Sequence, residues 1–183
     1  MGNFGAGPTY DPVAVQPMRD ELNLVGIRDL LTKQEVDEAF GQEGTVLLIV
    51  NSVCGCAAGN ARPGAMMALQ NEKIPDHLTT VFAGQEKEAV AQARSYLSDY
   101  PPSSPCIALL KDGKVLGILQ RLDIENKSAV EVATILKSWF DQHCEKQGPS
   151  IPRDQFEKLI PYSGCGSSIP MAGGGMGIDM PKS

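Results

Sequence analysis

Two cysteines one residue apart, Cys54 and Cys56 with Gly55 between them, are the residues of this chain whose type and spacing point most directly to chemistry. They lie in the stretch 51–64, N-S-V-C-G-C-A-A-G-N-A-R-P-G. A thiolate is the attacking species in thiol–disulfide exchange. Cα atoms two residues apart can be at most about 7 Å from each other, and a disulfide needs roughly 4.4–6.8 Å. The bridge therefore closes only where the chain bends, and Gly55 permits the bend. A ring that small is tight and readily reduced. Redox work is the first reading of the pair, and metal ligation or two inert buried thiols are its alternatives. In the redox reading Cys54, nearer the loop, is the exposed thiol of low pKa. Cys56, one residue into the turn, is the shielded, resolving thiol.

The elements around the pair decide whether it is activated. The run 45–50, T-V-L-L-I-V, is short, apolar and rich in β-branched residues, and it reads as a buried strand. Good helix formers follow the cysteines, from Ala57 and Ala58 to Ala65–Leu69 in sequence order. The pair thus sits where a strand turns into a helix, and a helix N-terminus offers free N–H groups and partial positive charge to a thiolate. Upstream, Asp11 caps a helix that has Pro12 at its first position and runs to about Leu22. Thr32 and Glu35 make a capping box for a helix reaching about Gln42. Downstream come a strand at 78–83, a helix at 86–97, a break at Y-P-P-S-S-P (100–105) and a strand at 106–110. Asp112-Gly113 is a hairpin signal with a partner strand at 115–119. A last helix at 128–143 aligns Val132, Ile135, Leu136, Trp139, Phe140 and His143 in one stripe. A βαβ half followed by a ββα half is the thioredoxin-like order. The expected fold is α/β, a central mixed sheet flanked by helices, with an N-terminal helical extension and a flexible C-terminal tail. The expected organisation is a flexible N-terminus at 1–10, a thioredoxin-like domain at 11–147 and a Gly/Pro-rich tail at 148–183.

Other residues are weighed against this frame. Ser104-Pro105 precedes a strand beside the reactive turn and is a candidate cis peptide that could present the Ser104 backbone to an extended substrate. Cys106 reads as a buried strand cysteine, and His77, His143 and Cys144 as surface or helix-end residues. Arg62 lies eight residues beyond Cys54, about 12 Å along a helix axis, and reads as a solvated residue. Pro63-Gly64 marks either a kink or a break. In the tail, Gly and Pro fill 12 of 36 positions, and Cys165 stands between Gly164 and Gly166. The 20 or so residues after Cys144 reach roughly 65 Å when extended, against a radius of gyration of about 15 Å for a small domain. Cys165 is therefore a candidate additional resolving thiol.

Composition narrows the classes of function. The net charge is −6 with a pI of about 4.9, and there is no basic run, which argues against nucleic-acid binding. No apolar stretch approaches the roughly 18 residues of a membrane span, and no signal peptide opens the chain. A cytoplasmic protein is expected. Five cysteines, an odd number, argue against a disulfide scaffold and for redox or metal chemistry.

Three segments together, N-S-V-C-G-C-A-A-G-x-A-R-P (51–63), T-V-F-A-G-Q-x-K-E-A (80–89) and Y-P-P-S-S-P (100–105), resemble the bacilliredoxin family of thioredoxin-like proteins. The resemblance covers roughly 11–144. It implies removal of bacillithiol from protein mixed disulfides and disulfide isomerase activity, with Cys54 attacking and Cys56 as its partner. The expected partners are oxidised or S-thiolated client proteins. The co-substrate is a low-molecular-weight thiol such as bacillithiol, and no cofactor beyond the redox-active disulfide is expected. The tail with Cys165 lies outside the resemblance. A W-C-G-P-C motif is absent, and the strand 45–50 carries no carboxylate that could deprotonate the resolving thiol, so a general reductase-coupled thioredoxin is disfavoured. The rival readings are a zinc or iron–sulfur protein using Cys54 and Cys56 with Cys144 or Cys165, and a non-catalytic thioredoxin-like interaction module.

Overall fold

The computed structural model describes residues 7–160 and 169–172. In chain order it contains helix α1 (Pro12–Asn23), strand β1 (Arg28–Asp29), α2 (Lys33–Phe40) and β2 (Thr45–Asn51). A π-helical turn (Ala57–Ala61) runs directly into α3 (Arg62–Ala68). Next come β3 (Lys73–Ile74), β4 (His77–Phe82), α4 (Lys87–Ser95), β5 (Cys106–Lys111) and β6 (Lys114–Leu119). The described part ends with α5 (Arg121–Glu125), α6 (Ala129–His143), β7 (Lys146–Gln147) and α7 (Arg153–Phe156).

The strand T-V-L-L-I-V-N is buried at every position because it is the middle of a five-stranded sheet, order β1-β4-β2-β5-β6. It runs parallel to β4 and antiparallel to β5. Its alternate side chains enter two different cores. Leu47 and Ile49 pack with residues of α3 and α6. Val46, Leu48 and Val50 pack with residues of α2 and α4. Full burial of a Val, Leu or Ile side chain is worth about 1.5–3 kcal/mol, so this strand is held from both faces and its C-terminal end is a fixed point. The mixed sheet with helices on both faces, built as βαβ then ββα, is the thioredoxin-like fold. Among the described residues no helix is long and apolar enough to cross a membrane.

Local chemistry sets the ends of these elements. Asp11 Oδ1 accepts the Val13 N–H to cap α1, and Thr32 with Glu35 forms the capping box of α2. Ser128 and Glu131 do the same for α6. The β5–β6 turn holds Asp112 and Gly113 at φ 52° and 71°, the pair of positive values that a two-residue type I′ hairpin requires. The two-residue strands β1, β3 and β7 and the short α5 carry too few residues to show any periodicity in sequence.

The segment that composition assigns to the tail begins with a docked stretch. The Gly148 N–H donates to the Glu72 carbonyl at 2.8 Å and the Ser150 N–H to the Leu69 carbonyl at 2.9 Å. Ile151, Phe156 and Leu159 pack against the core that α3 and α6 share. Further on, Met171 bridges Tyr10 in antiparallel fashion, and Ile169 packs on a small cluster of Val15, Met18, Val53 and Phe82.

Candidate active site

The site grows out of the end of β2. After Asn51 the chain turns through Ser52 and Val53, and Cys54 closes the turn. Its carbonyl accepts the Ala57 and Ala58 N–H groups at 3.1 and 3.2 Å, the first bonds of the helix. The Ala57 N–H also lies 3.4 Å from Cys54 Sγ, and the Cys54 N–H donates to Ser52 Oγ at 3.3 Å. Cys54 and Cys56 are both free and half-buried.

Their environments are opposed. Burial pushes the Cys54 thiol up, but hydrogen bonds from the Cys56 thiol, the Ala57 N–H and the Ser52 hydroxyl, with the charge of Arg121, outweigh it. The net effect holds Cys54 below the usual thiol range. Cys56 is pushed up to about 11 by burial, by donating its hydrogen bond to Cys54, and by repulsion from the Cys54 thiolate. Of the two sulfurs, negative charge is favoured on Cys54.

Arg62 corrects the sequence reading. It is not solvated but wholly buried, with a relative exposure of 0%. The cause is the π-helical turn. Pro63 has no N–H to offer the carbonyl four residues back, and the Arg62 N–H bonds the Ala57 carbonyl five residues back. The extra residue rotates the rest of the helix by about 100° relative to a continuous α-helix, so helical arithmetic from Cys54 misplaces the side chain. Arg62 Nε donates to Glu21 Oε2 at 2.7 Å, and Nη1 donates to Asn51 Oδ1 and to the Ser52 carbonyl at 3.1 Å each. Asn51 Oδ1 also accepts the Ser52 N–H at 2.8 Å. A chain of polar contacts therefore leads from α1 through Arg62 into the two residues that set the course of the cysteine turn. Pro63 stands at the start of α3, where the π-helical turn gives way to the α-helix, and Gly64 lets α3 approach α6 closely, since a Cβ there would sit 2.6 Å from Val132 Cγ1. Glu21 falls on the buried face of α1 with Val15, Met18 and Leu22. A carboxylate inside that apolar stripe was the sequence signal for a buried cationic partner.

On the other side, the Ser104–Pro105 peptide bond is cis. The next residue, Cys106, pairs with Val50 across β2–β5, so the proline loop lies beside the end of the central strand. Ser103 Oγ donates to the Pro105 carbonyl at 3.3 Å and accepts the Arg121 N–H at 2.7 Å. Asn60 Nδ2 of the π-helical turn donates to the Ile124 carbonyl at 3.0 Å, which ties α5 to the helix carrying the cysteines. Arg121, absent from the sequence reading, is the first residue of α5 and acts electrostatically on both sulfurs. Cys106 and Cys144 are buried, and His77 Nε2 lies 2.8 Å from the Glu43 carbonyl. Cys165 lies outside the described residues. Among the described residues, no group of three or more His, Cys, Asp or Glu side chains is arranged to hold a metal.

A thioredoxin-like sheet that ends its central strand in a polarised pair of thiols defines a thiol–disulfide oxidoreductase. The chain belongs to the bacilliredoxin family, and residues 10–144 match the family model described as "Disulphide isomerase". A bacilliredoxin of Bacillus cereus is 50% identical over 132 residues, spanning 72% of this chain and 92% of that protein. One from Geobacillus kaustophilus is 54% identical over 132 residues, spanning 71% of this chain and 91% of its own length. A solved thioredoxin mutant of Entamoeba histolytica superposes with a TM-score of 0.44 at 15% identity, covering 64% of this chain and 99% of that one.

Proposed function

We propose that the protein reduces or isomerises disulfides, and mixed disulfides between client proteins and a low-molecular-weight thiol such as bacillithiol, with Cys54 as nucleophile and Cys56 as resolving thiol. The observation that carries this is the opposition of the two thiols, Cys54 lowered and Cys56 raised. The Cys54 thiolate attacks one sulfur of the substrate disulfide; a Cys54 mixed disulfide forms, and the other sulfur leaves as a thiolate that takes a proton from solvent. That step also prepares the next. Once Cys54 is bonded, Cys56 loses the repulsion of its thiolate and the hydrogen bond to it, two of the three causes that hold its proton. Cys56 then attacks Cys54 Sγ, expels the bound thiol and closes the C-G-C disulfide, or a second small thiol from solution attacks the bound thiol's sulfur, leaves with it as a disulfide and frees the Cys54 thiolate. Ser104 and the cis Pro105 offer backbone beside the sulfurs for an extended client segment.

The reading fits a reducing cytoplasm, where free thiols persist. Cys165 enters it as a proposed additional resolver. It stands four positions before Ile169, a reach of about 14 Å, and Ile169 packs in the cluster that contains Val53, the neighbour of Cys54. The test is turnover of an S-thiolated client by wild type, Cys54→Ser and Cys56→Ser. Cys54→Ser should be inactive. Cys56→Ser should accumulate the small-thiol adduct on Cys54, or a Cys54–Cys165 link seen by peptide mass spectrometry. An active Cys54→Ser protein would overturn the assignment.

A further inference from the structure

We propose that Arg121 and the groove beside it bind the anionic end of a low-molecular-weight thiol while that thiol is joined to Cys54; this rests on the reading of Cys54 as nucleophile. The groove has a volume of about 390 Å³ and is lined by residues 101–104 and 120–122. That is the size of a small-molecule site. Pro101, Pro102 and Leu122 supply apolar cover, and Ser103, Ser104 and Gln120 supply hydrogen-bonding groups. Arg121 also lines the groove, and its charge acts on both cysteine sulfurs.

Three bonds fix the backbone that carries this cation. The Arg121 N–H donates to Ser103 Oγ at 2.7 Å, Gln120 Nε2 donates to the Pro101 carbonyl at 2.7 Å, and Asn60 Nδ2 donates to the Ile124 carbonyl at 3.0 Å. The first two join α5 to the proline loop and the third joins it to the π-helical turn. The carboxylates of α5 leave the guanidinium usable. Asp123 Oδ2 is engaged by the Gln120 N–H at 2.9 Å. Glu125 stands 3.6 Å from Arg121 in a half-exposed pair, the kind that contributes little and exchanges readily. A guanidinium offers a planar fork of donors that matches a carboxylate. On a chain of net charge −6, a cation acting on the reactive sulfurs is a local exception to the overall field, and it selects an acidic thiol over a basic one.

The chemistry balances without any further reactant. In a client–S–S–R disulfide, the Cys54 thiolate attacks the sulfur of R. The bond between Cys54 Sγ and the sulfur of R forms as the S–S bond between R and the client breaks, and the client leaves as a thiolate that takes a proton from water. The acidic group of R then lies against Arg121.

The test uses the full chain, reduced, with three small symmetrical disulfides: dithiodipropionate (anionic), bis(2-hydroxyethyl) disulfide (neutral) and cystamine (cationic). Rates of adduct formation on Cys54 are measured for wild type, Arg121→Gln and Glu125→Gln. Intrinsic reagent reactivities and any change in thiolate fraction cancel when the anion-to-cation ratio of wild type is divided by that of Arg121→Gln. The expected quotient is about tenfold, the size of one charge-assisted hydrogen bond, and it should shrink as salt rises. Glu125→Gln should raise the anion rate above wild type. A quotient of one, with all three reagents slowed equally, overturns the site and leaves Arg121 as a thiolate-stabilising charge only. A quotient near one for small anions beside a clear preference for an acidic client peptide also overturns it, by giving the cation a different occupant. Absence of any Cys54 adduct in wild type, with adducts on another cysteine, would instead strike the nucleophile reading beneath it.

Discussion

Cys54 and Cys106 belong to neighbouring segments of the same sheet, for Cys106 pairs with Val50 and Cys54 lies four residues beyond Val50. Their thiols are nonetheless opposites. Cys106, 3% exposed within β5, is pushed up to about 12, chiefly by burial, with Arg94 working against the rise and Asp123 adding to it. Cys54 also suffers burial, yet its hydrogen bonds and Arg121 bring it below the usual range. The difference is one of placement. Inside the strand the backbone donors are spent on the ladder, whereas past its end they are free to turn toward a sulfur. Cys144, at the end of α6, behaves like Cys106: burial is the largest cause of its raised pKa.

Breaking the comparison should give the largest effect at Cys54 itself. Cys54→Ser should lower disulfide exchange by on the order of 10³-fold or more, as removal of a nucleophile does, while Cys106→Ala should leave turnover within about twofold when measured on folded protein. Equal losses in the two variants would erase the distinction. Next in size is the support of the turn. Arg62→Ala removes one member of a buried ion pair (exposures of 0% and 4% for Arg62 and Glu21), and breaking such a pair costs about 3–5 kcal/mol. Urea unfolding should show that loss. In the surviving folded protein, the midpoint for Cys54 alkylation should move up, because Asn51 and Ser52 lose their anchor. A stability loss with an unmoved midpoint would make Arg62 a packing residue only. Smaller again is Ser52→Ala, which removes one hydroxyl acting on Cys54. The alkylation midpoint should rise with little change in unfolding, as expected for a single neutral hydrogen bond of about 0.5–1.5 kcal/mol.

Sequence pattern is informative only over the range of the interactions it encodes. The strand Thr45–Asn51, the Thr32/Glu35 box and the Asp112-Gly113 hairpin are local patterns, and each was legible. So were the cysteine pair and the Ser104–Pro105 loop as candidate features. Arg62 reads as solvated in sequence because the partners that bury it, Glu21 and Asn51, lie 41 and 11 residues away. Arg121 escaped because α5 has five residues and its place beside the thiols depends on contacts with Ser103 and Asn60, both distant in sequence. Likewise, nothing in the composition of 148–183 marks Ile151, Phe156 and Leu159 as core-packing residues. Only the surface they cover does.

The central claim is that Cys54 carries the charge of the pair. It is tested most directly by limited alkylation of the reduced wild-type protein with iodoacetamide across pH 5–10, with the label at each cysteine mapped by mass spectrometry. A thiol held below its usual pKa gives a rate that rises with pH and levels off early. Cys54 should therefore be labelled first, with a midpoint below the free-cysteine value of about 8.5, while Cys106 and Cys144 stay unlabelled until the protein unfolds. Labelling of Cys56 before Cys54, or a Cys54 midpoint at or above that value, would contradict the account.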